Sequence, residues 1–260
     1  MKKISVIGSG MTGISQITKD GFEVINNSKI VLWIGSILGL SDYLLEKNIS
    51  CENLSHLYKD GGFDVDNYVR IIDCLMTNLH SYSNICLVVP GHPRVGVTIV
   101  QLLQQRSKED GFEFRCYPGI SSFDAMINDL GIDPLEEGVG IVDANRLIIY
   151  DYAMEPCVNY FIYHVCSVGN ANTDYSSPHK NNKISYLKNK LLKHYAPENK
   201  IFLLSASVDN SGEPDKIEGS INNLDELFLN ITYRHTLYIP ALLPSKDRVN
   251  FEFLNEIGAI

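Results

Sequence analysis

Val88-Val89-Pro90-Gly91-His92-Pro93-Arg94-Val95-Gly96-Val97-Thr98 is the most informative stretch of the chain. It continues a short apolar run, Ile85–Val89, typical of a buried strand, and it leads into an apolar helix predicted to begin near Val97. The two prolines fix φ and remove amide donors, while the glycines let a ligand approach the backbone closely. A rigid loop at the carboxyl end of a strand is where open α/β sheets bind ligands. The alternative is a tight strand-to-helix turn that binds nothing.

Working outward from this loop, strands and helices alternate through the first half of the chain, which predicts a mostly parallel sheet. The second half has more closely spaced strands, predicted at Arg146–Tyr150 and Tyr160–Val165, so we expect a mixed sheet there. A turn-rich stretch from Gly131 to Gly140 separates the halves. The sequence therefore predicts an α/β fold of two domains, residues 1–134 and 135–260, with a cleft between them.

Composition narrows the classes of partner. The formal net charge is −9 and no dense basic cluster is present, which disfavours nucleic acid because its phosphates must be neutralised. No apolar run approaches the roughly 20 residues that a membrane helix requires, so no membrane partner is expected. The six cysteines form no Cys-x-x-Cys pair, which favours a reduced, cytoplasmic protein without a metal site.

Two further loops carry glycines after a strand. Gly8-Ser9-Gly10-Met11-Thr12-Gly13 follows the first strand, but no acidic residue ends the second strand, so dinucleotide binding is only weakly indicated. Pro118-Gly119-Ile120-Ser121-Ser122 precedes a predicted helix, where either serine is a natural N-cap or could receive a ligand. His92, between glycine and proline, shapes its loop more readily than it acts as a base. No Gly-x-Ser-x-Gly elbow is present.

The order of these loops resembles the tetrapyrrole (corrin and porphyrin) methylase superfamily. The resemblance rests on Gly8 and Gly10 after the first strand, then on Gly91 with Pro93, then on Gly119 with Ser121. Later segments agree, including the strand at 160–165, the strand at 200–206 with its 212–214 hairpin, and the final strand at 236–240. The resemblance implies a class III S-adenosylmethionine (SAM) methyltransferase of two α/β domains with the cofactor in the cleft.

A narrower resemblance is to the borosin peptide α-N-methyltransferases. It is carried by residues 117–134, by Phe161-Ile162-Tyr163-His164-Val165, and by Thr236-Leu237-Tyr238-Ile239-Pro240. It implies methylation of backbone amides in a ribosomal precursor peptide, and a homodimer. The chain ends soon after the last strand, so we expect the split kind, which acts on a separate precursor.

The resemblance also assigns site residues. It implies that Tyr58 and Tyr68 are catalytic, and it places Asp64 where the family has an arginine, so Arg70 is the candidate to supply the missing cation. The implied cofactor-binding residues are Gly8, Gly10, Met11, Pro90, Gly91, His92, Val95, Gly96, Ser121, Ser122, His164, Val165, Ala206 and Thr236.

The chemistry of these residues suits an amide acceptor. An amide nitrogen is a poor nucleophile because its lone pair is delocalised into the carbonyl. A phenol could donate to the carbonyl oxygen and a phenolate could accept the N–H proton, so Tyr58 and Tyr68 are assigned to these roles as a pair. The structural alternative is that both tyrosines only pack, with their hydroxyls wet.

Two other functions remain open. One is a methyltransferase of the same fold acting on a small molecule such as a tetrapyrrole, although Arg94, Arg115 and Arg146 are too scattered to favour a large anionic substrate. The other is a homologue that binds SAM or a peptide without turnover, which is suggested by Asp64 at the position of the expected arginine.

Overall fold

The computed structural model describes residues 2–172, 174–208 and 215–259. Within these ranges the chain forms ten β-strands and nine α-helices. The strands are β1 (Lys3–Gly8), β2 (Ile30–Trp33), β3 (Cys51–Asn53), β4 (Asn84–Val89), β5 (Glu113–Tyr117), β6 (Val139–Asp143), β7 (Asn159–Tyr163), β8 (Lys200–Ser205), β9 (Asp215–Ser220) and β10 (Thr236–Ile239). The helices are α1 (Lys19–Asn27), α2 (Leu40–Glu46), α3 (Asp64–Ser81), α4 (Thr98–Asp110), α5 (Ser122–Leu130), α6 (Ala144–Ile149), α7 (Ile184–Leu191), α8 (Leu224–Leu227) and α9 (Phe251–Glu256).

The first sheet has the strand order β3-β2-β4-β1-β5, and all of its strands run parallel. Alternate residues of a strand point to opposite faces, so β4 places Ile85 and Leu87 against α3 and α4, and Cys86 and Val88 against α1 and α2. This burial on both faces explains the continuous apolar runs in the sequence. The carboxyl ends of β1, β4 and β5 meet at one edge of the sheet, where the three glycine loops begin.

The second sheet has the order β6-β7-β10-β8-β9. Strands β6 and β7 are parallel, whereas β7, β10, β8 and β9 are antiparallel neighbours. The mixed sheet expected for the second half is therefore confirmed. The turn and hairpin predicted at 210–214 lie outside the described residues.

The strand predicted at Arg146–Tyr150 is wrong, because this run lies largely in helix α6. Asp143 caps that helix by accepting a hydrogen bond from the Arg146 backbone N–H at 2.9 Å. Leu147 is buried while Ile149 is exposed, so only one face of this short helix packs against the core. A five-residue apolar run does not distinguish a strand from a helix by its period. The strand is instead β6 (Val139–Asp143), which begins at the end of the turn-rich stretch 131–140.

The first glycine loop leads into a short 3-10 helix, Gly13–Gln16, and not directly into an α-helix. The first helix begins at Lys19, where the Thr18 side chain accepts from the Gly21 backbone N–H at 3.1 Å. Threonine at this position is a favoured N-cap, which the sequence analysis passed over.

Helix α5 joins the two halves of the chain. Its Met126 is buried against Phe161 and Leu204, which belong to the second sheet. The predicted division at residues 134 and 135 falls between α5 and β6, and it stays a prediction. Within the described ranges, no helix is long and apolar enough to cross a bilayer.

Candidate functional site

The three glycine loops touch one another at the edge of the first sheet. Gly91 N–H donates to Gly10 O at 2.9 Å, and Gly10 N–H donates to Gly91 O at 3.3 Å. A Cβ on Gly8 would lie 2.3 Å from Gly91 O and 2.9 Å from the Cα of Gly119. Only glycine permits this approach, because any side chain would meet backbone atoms that cannot move aside.

Beside these loops lies a cavity of about 260 Å³, which we call the central cavity. Loops of the first sheet form one wall and the ends of β7, β8 and β10 form the other. Its lining residues are Met11, Pro90, Gly91, His92, Val95, Gly96, Ser122, Tyr163, His164, Ser205, Ala206, Tyr233, Arg234, His235 and Thr236.

Ten of the fourteen implied cofactor residues line this cavity. The other four have different positions. Gly8 and Gly10 hold the loops together, and Val165 is buried in the core of the second sheet. Ser121 caps α5, with its hydroxyl 2.6 Å from Asp124 Oδ2 and accepting from the Asp124 backbone N–H at 3.1 Å. Ser121 therefore acts as the N-cap of α5, as one of the two alternatives predicted.

Five lining residues were missed. Tyr163, Ser205 and His235 are sequence neighbours of implied residues, so extending each segment by one position would have found them. Tyr233 and Arg234 lie in a loop before β10 that carries no motif, and nothing in the sequence marks them.

Tyr163 connects the two walls of the central cavity. Its hydroxyl lies 3.0 Å from the Ser122 hydroxyl on α5. Burial raises the pKa of Tyr163 to about 12, despite the opposing effect of the Ser122 hydrogen bond. The phenol is therefore neutral near pH 7, which keeps this part of the wall uncharged.

His164 is held rigidly at the far end of the cavity. Its backbone is left-handed, with φ at +56°, and its Nδ1 lies 2.7 Å from Asp143 Oδ2. Burial opposes ionisation of Asp143, but hydrogen bonds from His164 and the Arg146 backbone N–H outweigh it and lower the pKa of that carboxyl. A Cβ on Gly96 would lie 3.1 Å from His164 Nε2, so glycine at this position leaves room for the imidazole.

A second cavity, of about 430 Å³, adjoins the first across Val95, Gly96, Tyr163 and His164. Arg94 and Arg146 both line it. Arg94 Nη1 donates to Gln104 Oε1, which holds its guanidinium along α4. The third scattered arginine, Arg115, pairs with Glu113 on β5 and lines neither cavity.

Tyr58 and Tyr68 lie together, with ring centroids 6.3 Å apart. Two further tyrosines extend this pair toward the central cavity. The Tyr175 ring is 6.0 Å from Tyr58 and 5.3 Å from Tyr233, and Tyr233 lines the cavity itself. We call Tyr58, Tyr68, Tyr175 and Tyr233 the tyrosine cluster. Its edge-to-face contacts are a favourable aromatic geometry.

The phenols of Tyr58 and Tyr68 are held in their neutral form. Burial raises the pKa of Tyr58, and so does the proximity of Tyr175, Tyr68 and Asp64. Burial and the charge of Asp64 likewise raise the pKa of Tyr68. A negative charge at the position where the family has an arginine therefore disfavours a phenolate, so these phenols are suited to donate hydrogen bonds.

Arg70 has contacts of a different kind. Its Nε donates to Leu57 O at 3.0 Å, and its Nη2 donates to Asn67 Oδ1. Asn67 Oδ1 also accepts from the Lys59 backbone N–H at 2.8 Å. These bonds fasten the chain around Tyr58 to helix α3. The catalytic assignment of Arg70 stays a prediction, and its contacts indicate a positioning role.

The chain belongs to the tetrapyrrole (corrin/porphyrin) methylase family, whose model matches residues 3–145. Enzymes of this family use SAM as their methyl donor. The resemblance read from the glycine loops is thereby confirmed, and so is the resemblance to borosin enzymes.

Similar curated proteins carry a methyltransferase and a cyclic-peptide precursor in one chain. The methyltransferase and type I borosin cyclic peptide precursor of Coprinopsis marcescibilis is 25% identical over 98% of this chain and 66% of its own length. The methyltransferase and gymnopeptides precursor of Gymnopus fusipes is 27% identical over 91% of this chain. This chain spans 57% of the length of that second relative.

Solved structures confirm the α/β fold of two sheets. Uroporphyrin-III-C-methyltransferase from Thermus thermophilus superimposes with a TM-score of 0.62 at 15% identity, covering 95% of this chain and 99% of its own. Diphthine synthase superimposes with a TM-score of 0.58, also at 15% identity, covering 98% of this chain and 95% of its own. Likeness at this identity shows the fold alone.

Proposed function

We propose that the protein is a SAM-dependent methyltransferase that N-methylates backbone amides of a separate ribosomal precursor peptide. The single observation that carries the proposal is that the tyrosine cluster reaches the central cavity through Tyr233. A methyl-donor site and a set of neutral phenols are thereby adjacent. The relatives that join a methyltransferase to a cyclic-peptide precursor support a peptide acceptor.

The residues of the central cavity fit SAM. The left-handed Gly91 has only Met11 Sδ and Ile120 O within 4 Å of the Cβ position, so its Cα face is open to a ligand. Apolar side chains such as Met11, Val95 and Ala206 line the cavity beside hydroxyls and imidazoles. A mostly apolar site with a few fixed polar groups is typical of small-molecule binding.

When bound, SAM supplies an electrophilic methyl group on a sulfonium. The rest of the molecule departs as a neutral thioether. An apolar wall favours this loss of charge because it solvates the cation poorly. The protein's main contribution is then to orient the acceptor nitrogen in line with the methyl group, and such positioning is worth up to about 7–11 kcal/mol in favourable cases.

The acceptor amide requires a hydrogen-bond donor at its oxygen and a proton acceptor at its nitrogen. We assign donation to Tyr58 and Tyr68, since both phenols are held neutral. We assign the N–H proton to the carboxylate of Asp64, the anion whose charge acts on both rings. The N–H bond breaks as the N–CH₃ bond forms, Asp64 becomes a carboxylic acid, and the sulfonium charge disappears, so atoms and charge balance.

Two parts of this proposal rest on the resemblance to borosin enzymes, namely a precursor supplied in trans and a homodimer, whereas the cytoplasmic location rests on the cysteine pattern. The dimer is tested by measuring the molar mass of the purified protein in solution.

The experiment that tests the function has two parts. Calorimetric titration with S-adenosylhomocysteine (SAH), the demethylated product, is expected to give saturable 1:1 binding. Co-expression with a short precursor from the adjacent coding region is expected to give backbone mass steps of +14, one methylene per transfer. Tyr58→Phe should reduce these steps by about 10²–10³-fold while leaving SAH affinity unchanged. SAH binding without any peptide product would support the non-catalytic alternative, and methylation of a tetrapyrrole instead would support the small-molecule one.

A further inference from the structure

A loop of the second half, residues 170–172 and 174–176, is fastened onto the segment 59–64 that precedes helix α3. Asp64 N–H donates to Ala171 O at 2.9 Å. Asn172 Nδ2 donates to Gly61 O at 3.3 Å, and Asn172 forms an isolated antiparallel bridge with Phe63. The loop thus adds a short strand-like contact beside the tyrosine pair.

Asp60 fixes the end of this loop that carries Tyr175. The Tyr175 backbone N–H donates to Asp60 Oδ1 at 2.7 Å, and the Ser176 hydroxyl donates to Asp60 Oδ2 at 2.6 Å. Both carboxylate oxygens are therefore used to hold two consecutive residues. These bonds hold the backbone at the position from which the Tyr175 ring projects.

That position lies between the two parts of the proposed site. Tyr175 meets Tyr58 on one side and Tyr233, at the wall of the central cavity, on the other. Tyr175 is 40% exposed, so part of the residue is open to solvent. An acceptor residue passing from Tyr58 toward the methyl donor would lie against this open part.

The charges around Tyr175 indicate what can lie there. The rings of Tyr58, Tyr175 and Tyr233 present neutral aromatic surface, whereas Asp60 and Asp64 add negative charge beside it. Burial, together with the proximity of Tyr68, Asp64, Tyr233 and Asp60, raises the pKa of Tyr175, so its phenol stays neutral as well. Like charges in a partly buried site repel, and an acidic side chain would also lose its hydration there.

We propose that Tyr175 is a specificity-determining residue, which holds the side chain of the acceptor residue and selects neutral, apolar or aromatic residues over acidic ones. The proposal rests on the proposed function, because it assigns the acceptor of that same site. Tyr175 comes from the second half of the chain, while Tyr58 and Tyr68 come from the first. The acceptor site is therefore complete only when both halves are fastened together.

The test uses blocked amino acids as probes, namely the N-acetyl N′-methylamides of phenylalanine, glutamine and glutamate. Binding to the SAH-saturated protein is measured by saturation-transfer NMR. We expect the phenylalanine probe to bind, and the glutamate probe to bind at least about tenfold more weakly than the equally large glutamine probe. Tyr175→Ala should weaken the phenylalanine probe by about tenfold, whereas Tyr175→Phe should stay within about threefold of wild type.

Tyr152→Ala is the matched control, because Tyr152 is 45% exposed and stacks on Tyr150 outside both cavities. It should bind the probes as wild type does. Equal binding of the glutamate and glutamine probes, unchanged binding in Tyr175→Ala, or no binding of the phenylalanine probe to wild type would each overturn the proposal. SAH affinity and methylation of a co-expressed precursor are measured on the same variants, so failure of the wider function would show in those readouts instead.

Discussion

The central cavity and the tyrosine cluster adjoin, yet they are built in different ways. Backbone contacts between glycine loops of the first sheet form the rigid wall of the cavity. The tyrosine cluster is assembled from side chains of both halves and depends on hydrogen bonds to one exposed carboxylate, Asp60. The proposed donor site therefore follows from the sheet itself, whereas the proposed acceptor site depends on how a loop is fastened to it.

The largest effect is expected for Gly8→Ala. The new Cβ would lie 2.3 Å from Gly91 O, and the backbone must shift to accept it. We expect methyl transfer to fall by more than about 100-fold, since a displacement near 1 Å is enough for such a loss of rate, and SAH affinity to fall with it. The free energy of unfolding should fall by about 1–3 kcal/mol. Calorimetry and urea denaturation measure the two effects.

Gly111→Ala is the control for this variant. Gly111 is left-handed, with φ at +72°, but nothing lies within 4 Å of its Cβ position. The variant should lose about 1–2 kcal/mol of stability through backbone strain and keep its SAH affinity. Equal loss of SAH binding in both variants would contradict the role given to the loop contact.

Asp64→Asn distinguishes the contribution of the tyrosine cluster to methyl transfer from that of the central cavity to SAH binding. If the carboxylate accepts the amide proton, methyl transfer should fall by about 10²–10⁴-fold with SAH affinity unchanged. Loss of the negative charge should also lower the pKa of Tyr58 and Tyr68, because that charge disfavours their phenolates. Ultraviolet titration would show that the tyrosines which ionise last do so at lower pH. Asp66→Asn, in the same helical turn, is the matched control, and undiminished transfer in Asp64→Asn would refute the assignment.

A smaller effect is expected for Tyr163→Phe. The variant removes the hydroxyl that lies 3.0 Å from Ser122 Oγ across the central cavity. One such hydrogen bond contributes about 0.5–1.5 kcal/mol to holding the two walls together, so SAH affinity should weaken by no more than about 2–13-fold. Tyr238→Phe is the control, since its hydroxyl bonds Asn159 at 2.8 Å and Tyr238 does not line the cavity. That variant should lose stability without losing SAH affinity. A larger loss of SAH affinity in Tyr238→Phe than in Tyr163→Phe would argue against the central cavity as the donor site.

The smallest effect concerns pH. Hydrogen bonds from the Ser176 side chain and the Tyr175 backbone lower the pKa of Asp60. A depressed pKa means that the contact is fully formed above the usual aspartate value of about 3.9 and is lost as pH falls through the lowered value. Hydrogen exchange of the loop that carries Tyr175 should therefore differ between wild type and Asp60→Asn near neutral pH, and this difference should vanish in acid. Exchange in the 88–98 loop should show no such difference, and a matching difference there would contradict the separation of the two regions.

Much of the donor site could be predicted from the sequence. Proline restricts φ and glycine leaves it free, so the loops after β1, β4 and β5 can be recognised in the sequence. Parallel strands then bring these loops to one edge, which is why ten of the implied residues line the cavity. The strand assigned to Arg146–Tyr150 was wrong because a short apolar run fits either period until packing chooses between them.

The acceptor side could be predicted only in part. Tyr58 and Tyr68 were marked by their resemblance to a family pattern, but Tyr175 and Tyr233 carry no local signal, since tyrosines in polar loops are common. Arg70 was a reasonable candidate by proximity in sequence, yet its guanidinium is directed to Leu57 O and Asn67. Which side chains face one another across 115 or more residues is not encoded in any short segment.

The order of strands, helices and glycine loops along the chain is enough to predict the α/β fold, the three loops that meet beside the central cavity and a carboxylate where an arginine was expected. The folded chain adds two facts that no short segment carries: this carboxylate lies among neutral phenols, and a distant loop supplies a third ring to the pair. Backbone preferences act within a few residues, whereas burial and charge act through space and take their values only after the chain has folded.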